Sequence, residues 1–276
     1  MKQNLRKRLA CLLLSALLLI GCLPVTALAA ENGFILVAEA GGKLVIAPEY
    51  VSYTAGQTAA QALSASGHTF TGLDTGMISA IDGVTGNFTR SDENGNYDLS
   101  VSAASIGYLR FSEDTSSKPG DGLKQLMRAM ADYKKKDSDV QAAAKKEYGT
   151  ARDLFVGING ESAKTLAASL NDAVKNYENS LNGQRYPVRF TDGSAAYSDA
   201  NYPGVSVTAE NAYGKQWTDD GDGVLELPKG DYTFRVEQSG LRFGGKITVS
   251  TAATVSGKLP QSEWLITDTF RLSGSY

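Results

Sequence analysis

Between about Gly120 and Gly183 the apolar residues recur at every third and fourth position, which commits this stretch to amphipathic helix. Leu123, Leu126, Met127, Met130 and Tyr133 form one stripe. Val140, Ala144, Tyr148, Ala151 and Phe155 form a second, and Ala163, Leu166, Ala167, Leu170, Ala173, Val174 and Tyr177 a third. Each stripe is narrow and rich in alanine, so these helices must bury it against one another or against a sheet to be stable. Ser138 with Gln141 predicts a capping box, and hence a break near Lys134-Lys135-Lys136-Asp137. Gly157-Ile158-Asn159-Gly160 predicts another. The lysine run is no basic patch, because residues 121–182 hold ten Lys/Arg and nine Asp/Glu, a solvated face of mixed charge. Both flanks read as strand. The expected order is β-module, helical connector (120–183), β-module.

The first residues stand apart from that fold. Lys2, Arg6, Lys7 and Arg8 precede the apolar run Leu9 to Ile20, and Pro24 follows it. The run is too short to span a bilayer. With Ala27-Leu28-Ala29 beyond it, residues 1–29 read as a secretory signal peptide cleaved near Ala29. Leu19-Ile20-Gly21-Cys22 offers an alternative, a lipobox in which Cys22 carries lipid and ties the protein to a membrane surface. The expected location is secreted or cell surface. Cleavage near Ala29 removes both cysteines, Cys11 and Cys22, and with them disulfides, thiol catalysis and Cys-based metal sites. It also takes the formal charge from −3 to −7, which excludes a general attraction for nucleic acid.

Residues 31–115 alternate strand-like runs and turns. Phe34 to Val37 and Lys43 to Ile46 flank Ala40-Gly41-Gly42, and Tyr50 to Thr54 reads as a further strand. Thr58 predicts the cap of a short helix, Ala59 to Ser66, with Ala59, Ala62 and Leu63 inward. Met77 to Ile81, a turn at Asp82-Gly83, Phe88 and the strand Ile106 to Phe111 follow. Gly56-Gln57-Thr58-Ala59-Ala60-Gln61-Ala62-Leu63, then Gly76-Met77-Ile78-Ser79-Ala80-Ile81-Asp82-Gly83-Val84, resembles the transcobalamin-C-terminal-like family. That resemblance implies a β-grasp-like fold over 34–112. Relatives often carry a Trp-Tyr pair after the second motif; this chain has Phe88 and then polar residues.

Two acidic loops and one histidine invite metal chemistry. Asp92, Asn94, Asn96 and Asp98 place oxygens at alternate positions, as a calcium loop begins. Tyr97 then stands where the glycine is needed, and Ala103 where the bidentate acid is needed. The expectation is a solvated Asx-rich turn. His68 has no second His or Cys to ligate with after export, so it reads as a surface or helix-capping residue.

Pro119-Gly120 reads as a linker. From Tyr186 onward strands recur at the spacing of a small sandwich, over 185–260. Thr218-Asp219-Asp220-Gly221-Asp222-Gly223-Val224-Leu225-Glu226-Leu227-Pro228-Lys229-Gly230-Asp231-Tyr232-Thr233-Phe234 resembles prealbumin-like sandwiches, the carboxypeptidase regulatory-like domains and collagen-adhesin B-type repeats. In those families the Asp-Gly and Pro-x-Gly turns join strands. Asp219, Asp220 and Asp222 therefore read as a hairpin turn and not a cation site. Some adhesin repeats cross-link a first-strand Lys to a last-strand Asn; here Arg189 stands in the first strand and Lys246 to Leu259 has no Asn. Glu263 to Leu272, with Trp264 and Phe270, alternates again, so 261–276 reads as the start of a further module or a tail.

The expected fold class is α+β multidomain: a small β-grasp-like module, a helical connector and an antiparallel β-sandwich. No nucleophile with a base, paired carboxylates in a cleft or metal cluster emerges, so neither catalytic residues, metal nor cofactor is expected. The expected role is a secreted bacterial cell-surface binding, adhesion or spacer protein. Its partner would be an extracellular protein, a glycan or a small molecule, with membrane contact only through a lipid on Cys22. The alternatives are a corrinoid-like or glycan binder using the first module, and the non-catalytic part of a larger exported enzyme. An apolar pocket of Phe70, Phe88, Tyr97 and Tyr108 would serve the small-molecule reading. Intact-mass analysis of the exported protein should give a chain starting near Ala30; a diacylglycerol on Cys22 would instead establish the lipoprotein.

Overall fold

The computed structural model describes residues 32–93, 95, 98–113, 119–260 and 272–273. Residues 1–31 with Cys22, Tyr97, and residues 261–270 with Trp264 and Phe270 lie outside the described residues. Among the described residues the chain is mixed α and β, with five α-helices and four sheets. It divides into two compact units, one before Pro119 and one from Pro119 onward.

The first unit is built on a hairpin, β1 (Gly33–Ala40) and β2 (Lys43–Ser52), turned by Gly41 and Gly42, both at positive φ. The sequence predicts two strands where β2 runs unbroken through Pro48. Leu36 pairs with Glu49 and Ala38 with Ile46, so Ala47 and Pro48 together oppose Val37. Proline, which has no N–H for the ladder, is carried at this bulge. Helix α1 (Ala59–Ser64) begins at Thr58 with a complete capping box to Gln61, and it buries Ala59, Ala62 and Leu63.

A small sheet follows, β3 (Phe70–Thr71), β4 (Ala80–Ile81) and β5 (Val84–Thr85). Then come β6 (Thr89–Ser91) and β7 (Tyr108–Ser112), which complete a sheet ordered β2-β1-β7-β6 with β1 and β7 parallel. One face of it carries Phe34, Leu36, Leu109 and Phe111 into a core that includes Leu63 and Ile81. Alternation sends Ile35, Val37, Glu39, Tyr108 and Arg110 to the other face, and they are buried too. There Arg110 Nε donates to Glu39 Oε1 at 2.7 Å and Nη2 to Oε2 at 3.3 Å.

In the second unit the helices are α2 (Asp121–Lys134), α3 (Ser138–Ala143), α4 (Lys145–Asp153) and α5 (Gly160–Leu181). Helices α2 and α5 start together, at Gly122 against Gly160. They end together, where Lys136 Nζ meets Glu178 Oε1 at 2.8 Å. They therefore run side by side in one direction, and α3 with α4 makes the return. The Tyr133 and Tyr148 rings stack at 4.3 Å. The capping box predicted at Ser138 does not form. Asp137 occupies the cap position without a side-chain bond, and Gln141 Nε2 donates to the carbonyls of Lys134 and Lys136, tying off the end of α2. Asn159 caps α5 through Ser162 N–H.

Eight strands follow: β8 (Arg185–Thr191), β9 (Ser206–Asn211), β10 (Gln216–Thr218), β11 (Val224–Pro228), β12 (Gly230–Gln238), β13 (Leu241–Val249), β14 (Ala253–Ser256) and β15 (Leu272–Ser273). They form two sheets, β10-β9-β12-β13 and β11-β8-β14-β15. Val188, Phe190, Leu225 and Val255 of one and Val207, Phe234, Phe243 and Ile247 of the other share a single core. The expectation of purely antiparallel pairing is corrected at one place: β14 lies parallel to β8. The predicted run Lys246 to Leu259 is broken after Val249, and its second half joins the other sheet.

The helices expected as a connector fall in the same unit as these sheets. Tyr177 of α5 stacks edge-on with Tyr213 at 4.9 Å, donates its hydroxyl to the buried Asp139 at 3.0 Å and accepts from Asn211 Nδ2 at 2.8 Å. Burial, foremost, pushes that hydroxyl up to about 12, so it stays a donor at neutral pH. A Cβ on Gly122 would lie 2.0 Å from the Gly160 carbonyl oxygen, whereas at Gly149, inside α4, nothing lies within 4 Å. Gly122→Ala should therefore cost on the order of 1–3 kcal/mol, and Gly149→Ala should stabilise by about 0.4–1 kcal/mol. Paired denaturant unfolding measures both, and equal effects of one sign would contradict this helix contact.

Candidate functional site

The candidate site is an open cleft of about 440 Å³ in the first unit, between the segment Gly76–Ser79 and the segment Gly86–Arg90. The chain reaches it through a tight loop after β3. There Gly72, at φ +86°, lies so close to the Met77 carbonyl that a Cβ would sit 2.0 Å from its oxygen. Thr75 Oγ1 donates to the Gly72 carbonyl at 3.1 Å, and Met77 N–H donates back to Thr75 Oγ1 at 3.4 Å. The loop so fixed displays Met77 outward, 79% exposed, while Ile78 turns into the core. The other wall is anchored by Gly86 N–H donating to the Ser79 carbonyl at 3.1 Å.

Arg90 closes the end of the cleft. It sits on β6 opposite Phe111 of β7, and opposed residues project to the same face of a sheet. Its guanidinium therefore enters on the apolar side, with Nη1 3.6 Å from where a Gly76 Cβ would lie. Nη1 is buried and makes no hydrogen bond among the described residues. Burial lowers the pKa of Arg90 from its ordinary value, and the field of Asp98 works the other way. Asp98 itself is committed to Ser100, accepting from its N–H at 2.8 Å and its hydroxyl at 2.7 Å. At the Gly86 wall the nearest acid is Glu113, whose Oε2 accepts from Gly41 N–H at 2.7 Å.

Of the four aromatics expected to line one pocket, the three described, Phe70, Phe88 and Tyr108, are not gathered in one. Phe88 borders the cleft and is buried in the core. Phe70 packs on Phe111 with ring centres 5.7 Å apart. Tyr108 stands on the opposite face of the sheet from Leu109 and Phe111, and Tyr97 lies outside the described residues. The residue that sequence reasoning passed over is Arg90. Its signal was the step of two from Phe88, which puts both on one face of an extended chain.

The acidic loops serve the backbone. Asp92 is buried, which corrects the expectation of a solvated turn at that residue, and its carbonyl accepts from Gly95 N–H, while Asp98 of the same loop is exposed. Glu93 receives the N–H groups of Gly107 and Tyr108 at the start of β7. In the second unit Asp219 accepts from Val207, Gly221 and Gly223 N–H at 3.0, 3.2 and 3.1 Å, so its carboxylate closes a turn. Among the described residues no group of three His, Asp or Glu is arranged to hold a metal.

His68 is neither a free surface residue nor a helix cap. Its Nε2 meets Glu49 Oε1 and its Nδ1 meets Asp82 Oδ2, both at 2.7 Å. Asp82, in the left-handed region at φ +48°, also accepts from Thr69 N–H at 2.9 Å. The imidazole thus clamps β2 to the β4–β5 turn. Burial works to lower its pKa, but the bonds and charges of Glu49 and Asp82 raise it above the ordinary 6.5. The clamp's stabilisation is therefore full below about pH 6.5 and is lost as pH rises through the raised folded value. The difference in Tm between the protein and His68→Gln should be largest at mildly acid pH and shrink toward about pH 9. A difference that grows with pH would contradict the clamp.

Comparison with known proteins gives no matching family model, no matching curated protein and no matching solved structure, so the cleft has to be read from its own chemistry.

Proposed function

We propose that this chain is an exported, non-catalytic binding protein of the bacterial cell surface, and that the cleft of the first unit is its ligand site. The observation that carries the reading is a small-molecule-sized concavity of about 440 Å³ with Met77 held outward at its rim. At that rim the Met77 side chain adds apolar contact surface beside the backbone and polar groups of the cleft, the mixed lining that a small-molecule site uses. His68, whose ring nitrogens both face carboxylates, is engaged as a clamp, so it does not serve as a free general base.

We read the first unit as β-grasp-like, supported by a helix packed on a sheet whose middle strands β1 and β7 are parallel. We read the paired sheets as a prealbumin-like sandwich that spaces or presents the binding unit, supported by their common core and by the Asp219 turn. Export rests on the basic and apolar N-terminal segment.

A thermal-shift screen of the mature chain against glycans, corrinoids and divalent cations tests the reading. One ligand class should raise the Tm saturably, by an amount equivalent to about 2.7 kcal/mol at a hundredfold excess over Kd. Met77→Glu should abolish the rise. A rise untouched by Met77→Glu would move the site elsewhere, and turnover of any probe would overturn the non-catalytic assignment.

A further inference from the structure

Within that cleft, and resting on its reading as the ligand site, we infer that Arg90 receives an oxyanion: the ligand is a small molecule with a carboxylate or phosphate group beside an apolar body. Three observations converge. First, the guanidinium is held on the apolar side of the sheet by its place opposite Phe111, so it has given up part of its hydration. Second, that loss is not made good within the described residues. Nη1 has no hydrogen-bond partner, and Asp98 acts only through its field while its oxygens are bonded to Ser100. A partly buried cation without a carboxylate in contact is costly, and an anion entering the cleft offsets the cost. Third, the same side chain lines the cleft together with Met77, Ile78 and Phe88. A charged fork beside apolar surface matches a ligand of mixed character, and a planar guanidinium suits the paired oxygens of carboxylate and phosphate.

The contrast with the other arginine of this sheet sharpens the point. Arg110 is buried more fully than Arg90, on the opposite face, and Glu39 engages it through two nitrogens. Its charge is neutralised within the fold. That of Arg90 is left for something else.

Four probes test the inference on the isotopically labelled mature chain: phenylacetate, phenyl phosphate, the neutral 2-phenylethanol and, as the bare anion, inorganic phosphate. One or both anionic probes should shift the amides of Gly76, Met77 and Gly86 and the Arg90 side-chain N–H saturably. The preferred acid, carboxylate or phosphate, identifies which group the cleft takes. Affinity should fall about tenfold or more for 2-phenylethanol, and equally for the anionic probe on Arg90→Gln. Equal binding of the neutral probe, unchanged by Arg90→Gln, would overturn the oxyanion assignment and leave the cleft as an apolar site. Absence of saturable shifts at these residues with every probe would overturn it as well. Should Arg90→Gln fail to fold, Met77→Glu provides the second route, since that exposed position tolerates charge. It should weaken the anionic probes several-fold more than the neutral one, and equal weakening would overturn the inference.

Discussion

Strand β1 is buried along nearly its whole length on both faces, and the first unit depends on what that costs. Its inner face is apolar throughout. Its outer face includes Glu39, which sits beside Arg110 of the parallel strand β7 with both side chains less than a tenth exposed. Burying this pair is expensive, and well-packed apolar residues would serve stability as well or better. Its effect is on register. Sliding β7 by one residue against β1 would turn Arg110 to the apolar face and leave Glu39 buried alone. Removing one partner of such a pair typically costs about 3–5 kcal/mol. A short parallel strand of five residues, with no hairpin to align it, gains its alignment from that penalty.

The second unit solves a similar problem with the neutral donors of a tyrosine and an asparagine. Tyr177 reaches from α5 between the buried Asp139 and Asn211 of β9. Asn211 is itself fixed, its side-chain Oδ1 accepting from the N–H groups of Tyr213 and Lys215 in the β9–β10 turn. Helix and sheet are therefore joined through a chain of hydrogen bonds, each of which is worth more in a dry environment than at a surface. Tyr197 does the same for the segment after β14. It is almost fully buried, donates to the Gly257 carbonyl at 2.6 Å and accepts from Leu259 N–H at 3.1 Å. That bond holds the chain beyond β14 against the core.

Local signals were legible in the sequence because they are local in energy. Thr58 with Gln61, the glycine pair after Ala40, the Asp82-Gly83 turn and the helical stripes each involve residues within a few positions of one another. Signals whose partners lie far off were not. The Ser138 box was a fair reading of spacing, but Gln141 finds two open carbonyls at the end of α2, and these outcompete its own helix start. Lys43 to Ile46 and Tyr50 to Thr54 read as separate strands because the bulge that joins them is defined by the partner strand, which the sequence does not align. His68 looked idle because its two carboxylates are nineteen residues before it and fourteen after. The aromatic pocket was assembled by residue type alone, and strand alternation then separated Tyr108 from Phe88.

What sets the cleft apart from the rest of the first unit is how its polar groups are used. Around it the acids are committed: Glu93 to two amides of β7, Asp98 to Ser100, Glu113 to Gly41, Asp82 to His68 and Thr69. These bonds fix the loop ends on either side, and at the Gly86 wall Glu113 keeps one of its carboxylate oxygens on Gly41 N–H. The loop carrying Met77 is held by its own carbonyl against Gly72, where any side chain would collide. Hydrogen bonds thus hold both walls, and a wall already held leaves less ordering entropy to be lost on binding. Within these fixed walls the one cationic lining group, Arg90, is held in place by the sheet while Nη1 is left unbonded among the described residues. Preorganised walls and an unspent donor are separate features, and it is their coincidence in one small cleft that gives the site its chemical character.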